Sequence, residues 1–191
     1  MKGMRRAVFL DRDGTINEEA GYLGRIEDLR VIEGAGAGVR LLNQSGYSVV
    51  VVTNQSGVAR GIFDEAMVEK IHLEISRRLA EEGAFIDRWY YCPHHPTQGV
   101  GRFRRECVCR KPFTGMLDMA GRDLGVAVSG SFVVGDSVRD IELALNAGAR
   151  PVLVLTGYGG ETLKRLTEGG RASLAYIAPD ILEACKWICG Y

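Results

Sequence analysis

The chain has 191 residues, 46% hydrophobic and 25% charged, which is enough for one domain with a substantial core. It carries 24 basic and 24 acidic side chains, and this balance disfavours nucleic acid and anionic membranes as partners. The N-terminus lacks the apolar stretch of a signal peptide, and no apolar run approaches the ~20 residues of a membrane span. We therefore expect a cytoplasmic protein whose five cysteines are thiols or metal ligands.

Apolar runs that predict strands alternate along the chain with stretches that have the period of a helix. The predicted strands are 7–10, 49–53, 89–91, 131–135 and 151–155, and the predicted helices are about 36–44, 64–82, 114–124, 139–147, 162–168 and 179–188. Asp64 is the expected N-cap of the second helix. Strands that are apolar throughout indicate a parallel sheet buried by helices on both faces. We therefore predict one doubly wound (Rossmann-like) α/β domain spanning residues 1–191, without a separate cap domain.

Two aspartates follow the first predicted strand, where apolar residues give way abruptly to Asp11, Arg12 and Asp13. Carboxylates this close repel each other unless a cation or a shared proton relieves them. Gly14 permits the sharp turn that brings backbone close to a ligand. The run predicts a site for Mg²⁺ and an anionic substrate, although a simple polar turn would also explain an Asp-Gly pair.

Polar groups also follow the other predicted strands. The second strand ends in Thr53 and the polar residues after it, and the fourth ends in Asp136, with Asp140 four residues later. Lys111, with Arg110 before it, supplies positive charge ahead of the third helix. Each group alone is compatible with a helix cap or a solvated side chain. Together, at the carboxyl ends of parallel strands, they predict a site for Mg²⁺ and phosphate.

Four segments, FLDRDGT, the strand ending in Thr53, the loop Arg110-Lys111-Pro112 and GDSVRD, resemble the motifs of the haloacid-dehalogenase superfamily, in the same order. The resemblance implies a phosphatase that forms an aspartyl-phosphate on Asp11. Asp13 would protonate the leaving oxygen and then activate water. Asp11, Asp136 and the backbone carbonyl of Asp13 would hold Mg²⁺, while Thr53 and Lys111 would stabilise the phosphoryl group. Because a second carboxylate beside Asp11 is harder to ionise, we expect Asp13 to be the one that exchanges a proton.

An irregular segment of about residues 92–110 contains two pairs of candidate metal ligands. Cys92 and His94 form the first pair, and Cys107 and Cys109 form the second. Three thiolates and one imidazole match a closed, structural Zn²⁺ site. A loop with little apolar content needs a bound metal of this kind to hold its conformation. His95 is the second choice for the histidine ligand. Scattered loop cysteines without a metal are the alternative.

The zinc loop and several short runs resemble one branch of the superfamily, which contains heptose-bisphosphate and histidinol-phosphate phosphatases. Gly21-Tyr22, Ala59-Arg60-Gly61 and YYCPHHP favour the heptose side of that branch. The implied substrate contacts are Glu19, Ala20, Gly21, Tyr22, Asn54, Gln55, Ser56 and Arg60, with Arg110 for a second phosphate. Some relatives have a lysine where this chain has Ser137, so the role of position 137 in the phosphate site stays open.

The sequence therefore predicts a Mg²⁺-dependent sugar bisphosphatase of nucleotide-heptose precursor synthesis, acting as a monomer on a small phosphorylated sugar. Histidinol-phosphate phosphatase is the first alternative, a DNA 3′-phosphatase is more distant, and a non-catalytic zinc-stapled binding module is the alternative outside enzymes. Cys185, Cys189 and His72 are expected to be packing residues.

Overall fold

The computed structural model describes residues 5–191, which form one sheet of six parallel strands. The strands are β1 (Arg5–Leu10), β2 (Ser48–Asn54), β3 (Arg88–Cys92), β4 (Val126–Gly135), β5 (Arg150–Val154) and β6 (Tyr176–Ala178), in the spatial order β3-β2-β1-β4-β5-β6. The direction of winding reverses at β1, which lies between β2 and β4. A crevice forms at such a reversal, at the carboxyl ends of the strands.

Helices cover both faces of the sheet, as predicted for a doubly wound domain. They are α1 (Ala35–Gln44), α2 (Glu65–Glu81), α3 (Gly115–Leu124), α4 (Val138–Asn146), α5 (Gly159–Arg165), α6 (Glu168–Ala172) and α7 (Ile181–Gly190). Buried side chains of α1, α2 and α7 pack on one face, and those of α3 and α4 pack on the other. Residues 5–191 form no separate cap domain over the strand ends.

The alternation of side chains along β1 explains why its sequence is apolar throughout. Ala7 and Phe9 belong to the core under α3 and α4, whereas Val8 and Leu10 belong to the core under α1, α2 and α7. All four side chains are inaccessible to solvent. A strand buried on both faces has no polar side, so polar side chains can follow it only at the point where the strand ends.

The structure differs from the prediction mainly in the last third of the chain. The predicted helix over 162–168 is two shorter helices, α5 and α6, because Leu166 adopts an extended conformation and Thr167 Oγ1 accepts a hydrogen bond from Gly170 N to cap α6. The strand β6 was missed, since three residues are too few to establish a pattern.

The fourth strand begins earlier than predicted, at Val126 instead of position 131. Gly130 has a φ of 77°, and the pairing with β1 shifts register between Arg6 and Val8. This β-bulge gives the sequence the local signature of a turn, although the strand continues through it.

Side chains cap both α2 and α4. Asp64 caps α2 as predicted, accepting a hydrogen bond from Met67 N at 2.8 Å. The cap of α4 is Ser137, in a capping box with Asp140. Asp136 is therefore not the cap of this helix, and its carboxylate remains available at the end of β4.

Candidate active site and metal centre

Three carboxylates meet at the crevice beside β1. Oxygen atoms of Asp11, Asp136 and Asp140 lie within 4.8 Å of one another, and Asp136 and Asp140 are each only 2% exposed. Gly14 makes the approach possible, since a Cβ at this position would lie 2.1 Å from Asp136 Oδ2. Its φ of 77° is also one that other residues rarely adopt. The turn after β1 thus requires glycine for both its space and its conformation.

Lys111 is buried among these carboxylates. Its Nζ lies 2.8 Å from Asp11 Oδ1 and 2.6 Å from Asp140 Oδ1. Asn54 fixes the lysine backbone from the end of β2, because Lys111 N donates to Asn54 Oδ1 and Asn54 Nδ2 donates to Lys111 O. The ammonium group is thereby held beside Asp11, where it can contact a phosphoryl oxygen.

The crowding of carboxylates raises the proton affinity of two of them. Burial raises the pKa of Asp11 to about 8, and the nearby charges of Asp140 and Asp136 add to the effect against the opposing Lys111. Burial likewise raises the pKa of Asp136 to about 7. Burial alone would lower the pKa of the Lys111 amine. The charges of Asp11 and Asp140 outweigh this effect and raise that pKa. Such a cluster favours the binding of a cation.

The structure reverses the expectation for the ionisation of Asp13. Burial would raise the pKa of this carboxyl, but the charge of Arg12 and hydrogen bonds from Asn17, Arg12 and Gln55 lower it below its ordinary value. Arg12 is fully buried and donates to both carboxylate oxygens of Asp13 at 2.8–3.1 Å. Repulsion from Asp11 is therefore weaker than the attraction of Arg12, and the proton prefers Asp11.

Thr53 and Gln55 extend the site from β2. Gln55 Nε2 donates to Thr53 Oγ1 at 2.9 Å and to Asp13 Oδ2 at 2.8 Å. The hydroxyl of Thr53 acts as the acceptor in that bond, so its proton is available to a ligand. Gln55, which is among the predicted substrate contacts, holds Asp13 and Thr53 in place through these two bonds.

The donor set fits Mg²⁺. Asp11 Oδ1 and Asp136 Oδ2 accept hydrogen bonds, whereas Asp11 Oδ2 and Asp136 Oδ1 accept none from residues 5–191. Asp140 differs, since Lys111 engages one of its oxygens and Ser137 the other. Each of Asp11 and Asp136 thus has an oxygen free for a hard cation, and Asp140 does not.

A cavity of about 130 Å³ opens over these groups. The predicted site residues that line it are Asp11, Asp13, Glu19, Gly21, Thr53, Asn54, Lys111 and Asp136, and three others, Ser137, Arg139 and Tyr158, join them. Tyr158 comes from the loop after β5, and its backbone N donates to Asp136 Oδ2 at 2.7 Å. The structure therefore brings the four predicted motifs to one cavity.

The remaining predicted substrate residues lie outside the cavity lining. Arg110 donates from Nη1 to His94 O at 3.1 Å, in the zinc loop. The guanidinium of Arg60 lies 5.6 Å from the ring centroid of Tyr22, which is 44% exposed. Ala20 and Ser56 accept backbone hydrogen bonds from Tyr22 and Arg60 within local turns. These residues form or support loops around the cavity.

The predicted zinc ligands converge on one point. Cys92 Sγ lies 3.5 Å from Cys107 Sγ and 3.4 Å from Cys109 Sγ, and His94 Nδ1 lies 3.7 and 3.4 Å from the sulfurs of Cys92 and Cys109. Tetrahedral Zn²⁺ places its sulfur ligands about 3.8 Å apart and sulfur and nitrogen about 3.5 Å apart. The hydrogen bond between Cys109 and Cys92 lowers the pKa of Cys109 to about 5 and raises the pKa of Cys92, so the pair supplies one thiolate at neutral pH.

The neighbouring His95 stabilises a turn and lies outside the cluster of zinc ligands. Its Nδ1 accepts hydrogen bonds from Thr97 N and Gln98 N at 3.3 and 2.9 Å and closes a turn of the loop. His94 is therefore the histidine of the cluster, in agreement with the first choice from the sequence.

Sequence reasoning counted Asp140 among the polar groups at the strand ends without giving it a role of its own, and it gave no part to Arg12, Arg139 or Tyr158. The sequence Ser137-x-x-Asp140 carried a signal for Asp140, since this spacing is typical of a capping box. Arg12 stands inside the first motif but is recognisable only from its burial. Arg139 and Tyr158 carry no such signal, because only the fold places them at the cavity.

The residues expected to pack do so. Cys185 is inaccessible to solvent in the core under α7, with Cys189 against that core. His72 stacks on Trp89 with ring centroids 4.4 Å apart, and burial lowers its pKa to about 3.

None of the helices in residues 5–191 has the length and apolarity needed to cross a membrane.

Comparison with known proteins places this arrangement among characterised relatives. Residues 108–184 match the family model described as HAD-hydrolase-like. The chain is 44% identical over 186 residues to D-glycero-beta-D-manno-heptose-1,7-bisphosphate 7-phosphatase of Haemophilus ducreyi, covering 96% of this chain and 98% of that protein. It is 42% identical to the D-glycero-D-manno-heptose-1,7-bisphosphate 7-phosphatase of Thermosynechococcus vestitus, with 97% and 96% covered.

Solved structures agree with the sequence comparison. The chain superposes with a TM-score of 0.84 and 34% identity on D,D-heptose 1,7-bisphosphate phosphatase from B. bronchiseptica, a crystal structure complexed with magnesium and phosphate. The match covers 97% of this chain and 98% of that one. The enzyme from Burkholderia thailandensis matches with a TM-score of 0.70 and 29% identity, with 98% and 100% covered.

Proposed function

Because the chain belongs to the haloacid-dehalogenase-like family of D-glycero-D-manno-heptose-1,7-bisphosphate 7-phosphatases, we propose that it removes the 7-phosphate of this bisphosphate in a Mg²⁺-dependent reaction. The observation that carries the proposal is the contact of Lys111 Nζ with Asp11 at the reversal of the sheet, beside a second carboxylate with a free oxygen. This arrangement suits transfer of a phosphoryl group to a carboxylate.

Asp11 is the nucleophile. Its carboxylate oxygen forms a bond to phosphorus, and the bond from phosphorus to the sugar oxygen breaks with its electron pair on that oxygen. Lys111 and the hydroxyl of Thr53 donate hydrogen bonds to the phosphoryl oxygens, whose charge spreads in the transition state. Bound Mg²⁺, held by Asp11, Asp136 and the backbone carbonyl of Asp13, would neutralise the negative charge that Asp11 and the phosphate bring together.

Asp13 transfers the protons. It gives a proton to the departing sugar oxygen, then takes one from the water that attacks the phosphoaspartate, and the bond from phosphorus to Asp11 breaks. Its contacts with Arg12, Asn17 and Gln55 favour the ionised form that the second step uses. Negative charge on an incoming phosphate raises the pKa of a nearby carboxyl, which favours the protonated form for the first step.

The sugar occupies the space between the first loop and β2. Glu19 and Gly21 line the cavity directly, and Ala20, Tyr22, Ser56 and Arg60 shape the surrounding loops. Asn54 and Gln55 contribute by fixing Lys111, Thr53 and Asp13. Arg110 lies at the zinc loop on the approach to Lys111, as a contact for the second phosphate.

Zn²⁺ bound by Cys92, His94, Cys107 and Cys109 is structural, since four protein ligands close the tetrahedron. We further propose that residues 1–191 act as one domain, as a monomer and in the cytoplasm. A cavity whose lining comes from a single chain needs no second copy to complete it. Light scattering after gel filtration should give a mass near 20.9 kDa, and a dimer would contradict this part of the proposal.

The heptose 1-phosphate produced would enter the synthesis of ADP-heptose for lipopolysaccharide core, or of GDP-heptose. None of the three alternatives from the sequence is favoured, since the relatives are named heptose bisphosphatases and a non-catalytic module needs no buried lysine between two carboxylates.

The decisive assay compares phosphate release with Mg²⁺ from heptose 1,7-bisphosphate, histidinol phosphate and a DNA 3′-phosphate. We expect the highest kcat/KM for the heptose bisphosphate, and preference for either other ester would refute this substrate assignment.

Asp11→Asn should lower kcat by at least about 10³-fold, since the amide cannot form the covalent intermediate. Activity near that of the wild type in this variant would refute the mechanism.

A further inference from the structure

Arg139 is a cavity residue that the mechanism above does not use. It lies in the first turn of α4 and lines the same cavity as Asp11, Thr53 and Lys111. No residue among 5–191 forms a salt bridge with its side chain or accepts a hydrogen bond from it. A cation at the start of a helix also opposes the helix dipole. Its position is therefore unfavourable for the folded protein by itself and favourable for an anion.

Other cations are close to Arg139. Arg110 directly precedes Lys111, which lines the same cavity as Arg139, and Arg110 Nη1 donates to His94 O at 3.1 Å. Two arginines, one from the zinc loop and one from α4, therefore accompany Lys111 at this site. Like charges gathered in this way repel one another until an anion binds between them.

The groups that bind the reacting phosphate cannot serve a second one. Lys111 is held between Asp11 and Asp140 at the floor of the cavity, where the phosphoryl group is transferred. Ser137, the residue after the Mg²⁺ ligand Asp136, is neutral and hydrogen-bonds Asp140. A bisphosphate substrate brings a second, non-reacting phosphate, and Arg139 is a cation of the cavity lining that no salt bridge among residues 5–191 engages.

We propose that Arg139, together with Arg110, binds the phosphate that is not hydrolysed and makes the enzyme select a sugar bisphosphate over a monophosphate. This inference rests on the proposed function and deepens it. Arg139 here supplies the positive charge that position 137 does not provide. It is a specificity residue that contacts the substrate away from the reacting phosphorus.

The test combines substitution of Arg139 with truncation of the substrate. Kinetic constants are measured for the wild type, Arg139→Gln and Arg139→Lys on heptose 1,7-bisphosphate and on heptose 7-phosphate, which lacks the remote phosphate. In Arg139→Gln we expect KM for the bisphosphate to rise about tenfold, the loss of one charge-assisted contact, with kcat nearly unchanged. KM for heptose 7-phosphate should stay as in the wild type. Arg139→Lys should recover part of the loss, since it retains the charge but not the fork of donors.

Arg122→Gln is the matched control. Arg122 is an exposed arginine near the end of α3 and does not line the cavity, so its removal changes the net charge equally and should leave both values of KM unchanged. An equal loss on both esters in Arg139→Gln would overturn the inference, because a general effect on the site does not depend on the remote phosphate. Unchanged KM for the bisphosphate would overturn it as well.

Failure of the proposed function gives a different result. If the wild type hydrolysed neither ester, the phosphatase assignment would fail, and calorimetric titration of Mg²⁺-loaded protein with the bisphosphate would still decide the inference. Affinity about tenfold weaker in Arg139→Gln than in the wild type supports the second phosphate site. Equal affinity, or no binding to either protein, overturns it.

Discussion

Asp11 and Asp13 are two positions apart and have opposite environments. Asp11 lies among carboxylates and one lysine, and burial raises its pKa to about 8. Asp13 is enclosed by donors, chiefly Arg12, which lower its pKa. Neighbouring carboxyls whose proton affinities are pushed apart are typical of sites where each has its own step. The proposed division between a nucleophile and a proton carrier thus has its physical basis in the side chains around each aspartate.

The pH dependence of the free energy of unfolding should reveal the cost of ionising the buried Asp11 carboxyl. In Mg²⁺-free protein, an unfolded Asp11 ionises near 3.8, whereas the folded one keeps its proton up to about 8. The unfolded state then binds fewer protons between these values, so the contribution of Asp11 to stability falls as pH rises from about 4 to 8. Urea unfolding at pH 5, 6, 7 and 8 should give a steeper decline for the wild type than for Asp11→Asn.

Saturating Mg²⁺ should reduce this decline, because the cation favours the ionised carboxylates. Parallel pH profiles for the wild type and Asp11→Asn would contradict the assigned environment of Asp11.

Asp140 holds Lys111 and caps α4 at the same time. Asp140→Ala should lower the free energy of unfolding by about 3 kcal/mol, since a buried ammonium loses one of its two carboxylates. It should also lower kcat, because Lys111 is no longer fixed beside Asp11. Urea unfolding and steady-state kinetics measure the two effects. Ser137→Ala is the control, because it removes the capping hydroxyl and its bond to Asp140 but leaves the Asp140 carboxylate beside Lys111, and it should cost about 1 kcal/mol. Asp140→Ala that behaves like Ser137→Ala would refute the role in positioning.

Part of this residue-level picture was accessible from the sequence. Asp11, Thr53, Lys111 and Asp136 each follow a strand or loop whose pattern is local, and the structure brings them to one cavity. The ionisation of Asp13 was not accessible, because it depends on the burial of Arg12 and on Gln55, 42 positions away in the chain. Patterns in sequence locate charged groups, whereas their pKa values depend on what packs around them.

At the scale of elements, the zinc loop connects β3 to α3 and leads directly into Lys111. Its four ligands come from the end of β3 and from the residues just before Arg110, so a metal would fix both ends of the loop. The loop also carries the backbone carbonyl of His94 that accepts from Arg110. The geometry of the cationic side of the cavity therefore depends on the integrity of this loop.

Loss of zinc should loosen the loop and impair catalysis without unfolding the sheet. Purified protein should contain about one equivalent of zinc, and Cys107→Ser should lose most of it. Faster proteolysis within residues 93–110 and a fall in kcat should follow, because Lys111 is no longer anchored from that side. Cys189→Ser is the control, since this thiol lies in α7 outside the cluster. A zinc-free protein with an intact loop and full activity would contradict the account.

The elements that sequence reasoning missed are the short ones. The helix α6 has five residues and β6 has three, and neither is long enough to show a period. The bulge at Gly130 hid the first half of β4 for a related reason, since a left-handed glycine is typical of turns. Long, apolar or amphipathic elements were predictable because burial imposes their pattern over many residues.

At the scale of the whole molecule, the reversal of winding beside β1 explains where the site lies. It brings the ends of β1, β2 and β4 together and leaves a crevice that the loops carrying Glu19, Lys111 and Tyr158 surround. In the proposed mechanism, Asp11, Thr53 and Asp136 act from the ends of strands, and the substrate contacts lie on loops. This division explains why the reaction could be predicted from motifs, while Arg139 emerged only from the assembled fold.

The central claim is that this site removes one particular phosphate from heptose 1,7-bisphosphate, and phosphorus NMR of the reaction tests it most directly. With Mg²⁺ and wild-type protein, we predict that the signal of the 7-phosphate disappears, that inorganic phosphate appears, and that the signal of the 1-phosphate persists. The same sample with Asp11→Asn should remain unchanged. Loss of the 1-phosphate, or no inorganic phosphate from the wild type, would contradict the account.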